Sequence, residues 1–162
     1  MALSLPTELL HRLLDHWPVG RFATVADGEC PHIVPIVFCR EDAVIYSPID
    51  GKRKQSTQLK RFRNLEVHAG ISLLLDHYHH DWDQLWWVRI DGTARRVDAE
   101  ADLSRRLADR LRAKYPQYER VPLQFAGDVY LEIRVGRVAV WSQSGTLAPI
   151  TGNLPAARSS TR

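Results

Sequence analysis

Ala43-Val-Ile-Tyr-Ser-Pro-Ile-Asp-Gly-Lys-Arg-Lys-Gln-Ser-Thr-Gln-Leu-Lys-Arg-Phe-Arg63 reads as an apolar strand, a Pro/Gly turn and a short helix. Six of the twelve residues from Lys52 to Arg63 are Lys or Arg, and no acid lies between Gly51 and Leu65. Cations gathered beside the free N–H groups of a helix start make a receptor for a phosphate. Basic runs on short helices are more often solvated faces. Here the strand Ala43 to Ser47 anchors the turn to a sheet, and Leu59 and Phe62 give the helix an inward side. Lys60, Arg61 and Arg63 then point elsewhere. Lys52 and Lys54 precede the helix and can fold over its start, with the Ser56 and Thr57 hydroxyls beside them.

Outward from this segment, the chain of 162 residues reads as one domain able to bury a core. Ser4 or Thr7 caps a helix to about Trp17 with Leu9, Leu10, Leu13 and Leu14 on one side, and Pro18 stops it. Val19 to Ala26 and His32 to Cys39 read as strands flanking an Asp27-Gly28 turn. Pro35 cannot join a ladder through its nitrogen, so its strand is an edge, a bulge or a ligand-facing segment. Glu66 to Tyr78, Leu85 to Arg96 and Val129 to Trp141 are further strands, with a bulge or kink at Asp91-Gly92 and another bulge at Gly136. Asp98 caps an amphipathic helix carrying Leu103, Leu107 and Leu111, ended by Pro116. Residues 142–162 read as an irregular tail beyond a single domain of residues 1–141. The expected fold class is mainly β (α+β): a six-stranded antiparallel barrel with helices packed outside, which removes exposed strand edges.

Net charge is only +3, so the cations are a local feature and not the wide stripe of a nucleic-acid binder. No apolar run reaches the ~18 residues of a membrane span, and the first ten residues lack a charged leader region. A cytoplasmic protein with no nucleic-acid or membrane partner is expected. Cys30 and Cys39 lack a zinc or Cys-x-x-Cys spacing and read as reduced thiols. His77, His79 and His80 with Asp76, Asp81 and Asp83 mimic a metal cluster, but a polar strand end is the favoured reading and no metal is expected. Trp86 and Trp87 are adjacent on a strand and face opposite ways, one toward the core and the other toward an interface or pocket. Arg89 shares the Trp87 face and suits an anion or a carboxylate across an interface. No Ser-His-Asp or Cys-His order, and no carboxylate pair, nominates a catalytic residue.

The blocks Gly20-Arg-Phe-Ala-Thr-Val-Ala26, Pro31-His-Ile-Val-Pro-Ile-Val-Phe38, Tyr46-Ser-Pro-Ile-Asp-Gly-Lys-Arg-Lys54 and the Asp76–Ala94 segment (His77-Tyr-His-His-Asp-Trp-Asp-Gln-Leu-Trp-Trp87 at its centre) together resemble a known group. They are similar to the pyridoxamine 5′-phosphate oxidase-like split β-barrel flavoproteins, and within them to the deazaflavin (coenzyme F420)-dependent branch. The resemblance implies a homodimer with cofactor sites at its interface, FMN or F420 as cofactor, and a small-molecule substrate. It further implies a ring against the Val34-Pro35-Ile36 strand, and a cofactor phosphate held by Ser47, Lys52, Arg53 and Lys54 with Ser56 or Thr57. Trp87 lines the ligand or interface side, and Trp141 reaches the partner's cofactor. The implied activity is hydride transfer between the ring and a small conjugated substrate, where the cofactor carries the chemistry. The vitamin B6 oxidases end in an Arg- and His-bearing segment that Trp141-Ser-Gln-Ser-Gly-Thr-Leu-Ala-Pro149 lacks, which argues against that substrate. A non-catalytic carrier of FMN or haem is the alternative, and polynucleotide binding a distant third.

Overall fold

The computed structural model describes residues 3–26, 28, 30–49, 59–123 and 128–155. Among the described residues four α-helices, α1 (Thr7–His16), α2 (Lys60–Val67), α3 (Ala101–Lys114) and α4 (Ala148–Gly152), surround seven strands. The strands are β1 (Gly20–Thr24), β2 (His32–Ile36), β3 (Cys39–Glu41), β4 (Val44–Pro48), β5 (Gly70–His77), β6 (Trp86–Asp98) and β7 (Val129–Ser142). They form one sheet in the order β2-β1-β5-β6-β7-β4-β3, antiparallel throughout.

That order forces the sheet to curl. Its two edge strands, β2 and β3, are consecutive in the chain and joined only by Val37 and Phe38. Six gaps of about 4.8 Å would hold the edges of a flat sheet about 29 Å apart. Three Cα steps from Ile36 to Cys39 span at most about 11 Å. The sheet therefore rolls until its edges meet at Phe38, yet no ladder joins β2 to β3 among the described residues. The result is a split barrel.

Phe38 is clamped at this junction. Its N–H donates to the Tyr115 hydroxyl at 3.1 Å, and that hydroxyl lies 3.0 Å from both the Phe38 and Pro18 carbonyls. Lys114 Nζ donates to Leu14 O at 2.7 Å and to Phe38 O at 3.1 Å, and stands 3.7 Å from the centre of the Phe38 ring. A concavity of about 320 Å³ beside this clamp is lined by Asp15, Cys39, Arg40, Arg110 and Lys114, among others. Asp15 is paired to Arg40 at 2.7 Å.

Two apolar clusters follow from the strand alternation. One fills the barrel with Phe22, Phe38, Ile45, Leu73, Leu75, Trp86, Val88 and Ile90, and takes Leu9, Leu10, Leu13 and Leu14 from α1 and Phe62 from α2. The other joins Leu107, Ala108 and Leu111 of α3 to Cys39, Tyr46 and Tyr130 on the outside of β3, β4 and β7.

The β6–β7 ladder shifts register between Asp91 and Gly92, leaving Gly136 as the extra residue of a bulge. The strands approach so closely that a Cβ on Gly92 would collide with the Arg134 carbonyl, and one on Gly136 would lie 3.1 Å from Asp91 O. Before the bulge Val129, Leu131, Ile133 and Val135 face the barrel; after it Val138 and Val140 do.

Several expectations are corrected. There are seven strands, not six, because His32–Cys39 breaks at Val37-Phe38 to pass from one sheet edge to the other. The strand expected from Glu66 begins at Gly70; Leu59, Phe62 and Leu65 continue a helical spacing that carries α2 through Val67. Strand β6 runs on to Asp98, so α3 starts later, at Ala101, with Glu100 before it and no side-chain cap. The tail expected to be irregular contains α4, whose Ile150 is fully buried in the barrel cluster with Leu154 beside it.

Two outcomes are expected from the clamp. Tyr115→Phe removes the partner of a buried N–H and should lower unfolding free energy in urea by about 1–3 kcal/mol. A loss within error would show that the junction does not depend on it. The second concerns pH. Burial pushes the Lys114 ammonium down to about 7, outweighing the opposing influence of Cys39 and Asp15. The unfolded chain therefore binds a proton that the folded one lacks from about pH 7 to the ordinary lysine value of 10.5, and stability rises with pH through that window. Burial also pushes the Cys39 thiol up to about 12, so above its ordinary value of 9.0 the thiol acts in the opposite direction. The urea midpoint should climb between pH 7 and 9, and Lys114→Met should flatten that climb; an equal climb in the variant contradicts the assignment.

Candidate functional site

Strand alternation sends Phe22, Leu73, Leu75, Trp86, Val88 and Ile90 into the barrel and their neighbours outward. The outward residues of β2, β1, β5, β6 as far as Asp91 and the second half of β7 belong to neither of the apolar clusters through which the four helices pack. Cross-strand register sets them in rows. Pro35, Arg21, Leu74, Arg89 and Ala139 lie side by side on successive strands, as do Asp76, Trp87 and Trp141. Ile33, paired with Ala23, is 62% exposed on the same face.

Trp86 is 1% exposed in the core while Trp87 is part-exposed outside, as their adjacency on a strand requires. Trp87 stacks on Trp141, with ring centroids 6.4 Å apart and planes 15° from parallel. This pair forms one wall of a concavity of about 510 Å³ that also takes in Leu74, Leu85, Trp86 and Tyr78. Its polar side chains are Asp76, His77 and Arg89. Arg21 pairs with Asp76 at 3.1 Å and Arg89 Nε with Asp91 at 3.1 Å. The Ser72 hydroxyl, 2.6 Å from Asp91, together with Arg89, holds the Asp91 carboxyl below its ordinary range.

The expected site residues divide. Pro35 lies on an edge strand, where its missing N–H costs no ladder bond, and its side chain is exposed on the open face. Val34 and Ile36 face the barrel instead, Ile36 at 5% exposure. Their side chains are turned away from the open face. Ser47 is 2% exposed at the end of β4, on the barrel side. Lys52, Arg53, Lys54, Ser56 and Thr57 lie outside the described residues. Beyond them α2 presents Lys60 and Arg63 to solvent, whereas Arg61 is part-buried with its guanidinium 5.5 Å from the Phe62 ring. Ser47 pairs with Leu131, ten residues before Trp141 on the same strand, about 33 Å of strand path. One copy therefore does not bring Ser47 and Trp141 to opposite ends of a single FMN-sized molecule.

His77 belongs to an aromatic stack, 6.1 Å from Trp86 and 5.9 Å from His79, with Trp17 edge-on at 5.9 Å. Among the described residues no three His, Cys, Asp or Glu side chains converge as a metal set. Both cysteines are free thiols. No described helix is long and apolar enough to cross a membrane. Leu74 and Arg21 were not expected at this face. Their signal was the alternation of β5, whose positions 72, 74 and 76 share one side, and the β1 register that sets Arg21 beside Leu74.

Solved structures share the fold. The conserved hypothetical protein Rv2991 from Mycobacterium tuberculosis superposes with a TM-score of 0.69 at 18% identity, over 89% of each chain. The haem storage protein HutZ from Vibrio cholerae gives 0.62 at 15%, covering 86% of this chain and 95% of its own. An FAD-binding protein from Mesorhizobium loti gives 0.57 at 19%, covering 86% and 96%. At these identities the likeness carries the fold alone. No curated protein sequence matches the chain. Residues 6–142, nearly the whole barrel, match the pyridoxamine 5′-phosphate oxidase family, and the chain belongs to it.

Proposed function

We propose that this protein is a cytoplasmic flavin- or deazaflavin-dependent oxidoreductase that works as a homodimer. The observation that carries the reading is the uncovered sheet face with Trp87 stacked on Trp141, at the far end of β7 from the end of β4. A second copy seated on that face would bring its own Ser47 and the Lys52–Lys54 cations toward these tryptophans. The face suits self-association: it is apolar at Ile33, Leu74, Trp87 and Trp141, and its Arg21–Asp76 and Arg89–Asp91 pairs offer both signs of charge.

The residues fit such a cofactor. Pro35 leaves the β2 edge without one donor, so a flat ring meets backbone and apolar surface there. The Lys52, Arg53 and Lys54 cations, with the Ser47 and Thr57 hydroxyls, hold the phosphate. Trp87 and Trp141 exclude water from the ring. When bound, the ring supplies hydride transfer to a small conjugated substrate. Lys60 and Arg63, exposed on α2, extend the cationic surface toward the longer acidic tail of coenzyme F420. The alternative is a carrier that binds FMN or haem without turnover; His77, which lines the cavity, is the imidazole that favours haem.

Titration with FMN and with F420, side by side, tests the reading. Lys52→Ala with Lys54→Ala should raise the cofactor Kd by roughly 10²-fold, from two charge-assisted contacts of ~1.5–3 kcal/mol each. An unchanged Kd removes the phosphate site. Lys60→Glu with Arg63→Glu should weaken F420 far more than FMN, and equal losses would reject the tail assignment. Sedimentation should give a dimer that Trp87→Arg converts to monomer with loss of cofactor binding; a monomeric wild type that still binds FMN overturns the interface.

A further inference from the structure

The cavity beside the tryptophan pair carries a chemical preference of its own. Its walls are largely aromatic and aliphatic, and the stacked Trp87 and Trp141 supply a flat surface. Asp76 is compensated by Arg21 at 3.1 Å. Arg89 is only partly committed: its contacts to Asp91, at 3.1 and 3.2 Å, both use Nε. Its two terminal NH₂ groups make no hydrogen bond among the described residues, and its side chain is 43% exposed. Asp91 in turn is shared with Ser72. Along the outward faces of β1, β5, β6 as far as Asp91 and β7 from Arg137, Arg21, Arg89 and Arg137 stand against Asp76 and Asp91, which leaves one positive charge in excess. Trp87 and Arg89 are alternate residues of one strand, about 6.8 Å apart on the same side. A planar guanidinium fork at that spacing from an indole face matches a carboxylate joined to a flat π-system.

We infer that this cavity is the substrate pocket and that it selects planar conjugated carboxylates, the ring on the Trp87–Trp141 wall and the carboxylate on the Arg89 fork. The assignment rests on the redox reading for the word substrate, but the ligand preference stands on the cavity alone. Positioning is the role given to these residues. The carboxylate fixes register, and the stacked ring holds the conjugated bond at the dimer junction where the cofactor would meet it.

Calorimetric titration of the full chain, with and without FMN, tests the preference using cinnamate, cinnamamide and cyclohexanecarboxylate. Cinnamate should bind at least about tenfold more tightly than the neutral amide, because a charge-assisted contact is lost in the amide. It should also bind more tightly than the saturated acid, which has no flat face to stack. Arg89→Met should bring cinnamate and cinnamamide to equal affinity, and Trp141→Ala should weaken both alike. Equal affinity of wild type for the acid and the amide overturns the inference without any variant. So does equal affinity for the flat and saturated acids, or no binding of cinnamate in either form of the protein. Failure of FMN to bind, with the acid preference intact, would remove the redox reading and leave the pocket. FMN binding with the three ligands indistinguishable would do the reverse.

Discussion

Everything in this fold depends on a two-residue tether. Val37 and Phe38 connect the opposite margins of a seven-stranded sheet, so the chain cannot lie flat. Closing the sheet by covalent connection, without a ladder, leaves a seam whose backbone groups need partners. Tyr115 and Lys114 satisfy both the N–H and the carbonyl of Phe38 from the end of α3. Buried polar groups left unpaired there would cost more than their hydrogen bonds contribute. The helix that covers one side of the barrel is thus also the part that holds the seam.

Curling divides the sheet into surfaces with different duties. The interior is a cluster of aliphatic and aromatic side chains closed by the leucines of α1. The outside of β3, β4 and the first half of β7 is occupied by α3. What remains, across β2, β1, β5, the first half of β6 and the end of β7, combines tryptophans and aliphatic residues with internally paired charges. Charges already paired within one copy cost less to cover than isolated ones. Such a surface is suited to association, and the aromatic cavity lies in it.

Much of this was legible in the residue order. Trp86 and Trp87 had to diverge because a strand alternates, and they do. Pro35 had to lie where no ladder bond was needed, and it occupies an edge. The leucines of α1 and α3 marked their buried sides. What stayed hidden was non-local. Nothing in Ile36-Val-Phe-Cys39 announces that the strand ends there, because the break exists to cross between sheet margins. Glu66 and Val67 suit a strand as well as a helix, and contact of Leu65 with the core decided for the helix. Gly, Pro and Ser after Trp141 signalled irregular chain, yet Ile150 found a hole in the barrel cluster and folded α4 around it. The Lys114–Tyr115 pair joins Phe38 across more than seventy positions, a distance that no local pattern encodes.

One small feature has an outsized consequence. Gly136 adds a single count to β7, so odd-numbered residues enter the barrel before it and even-numbered ones after it. Were Gly136 instead paired into regular alternation, Trp141 would turn into the hydrophobic interior while Val140 took its place outside. Amino-acid replacements along this strand can only grade the shape of the aromatic wall. Loss of Gly136 altogether would leave Val135 inward and Arg137 outward as they are, so lineages carrying this wall are expected either to keep the bulge at this glycine or to lack the residue.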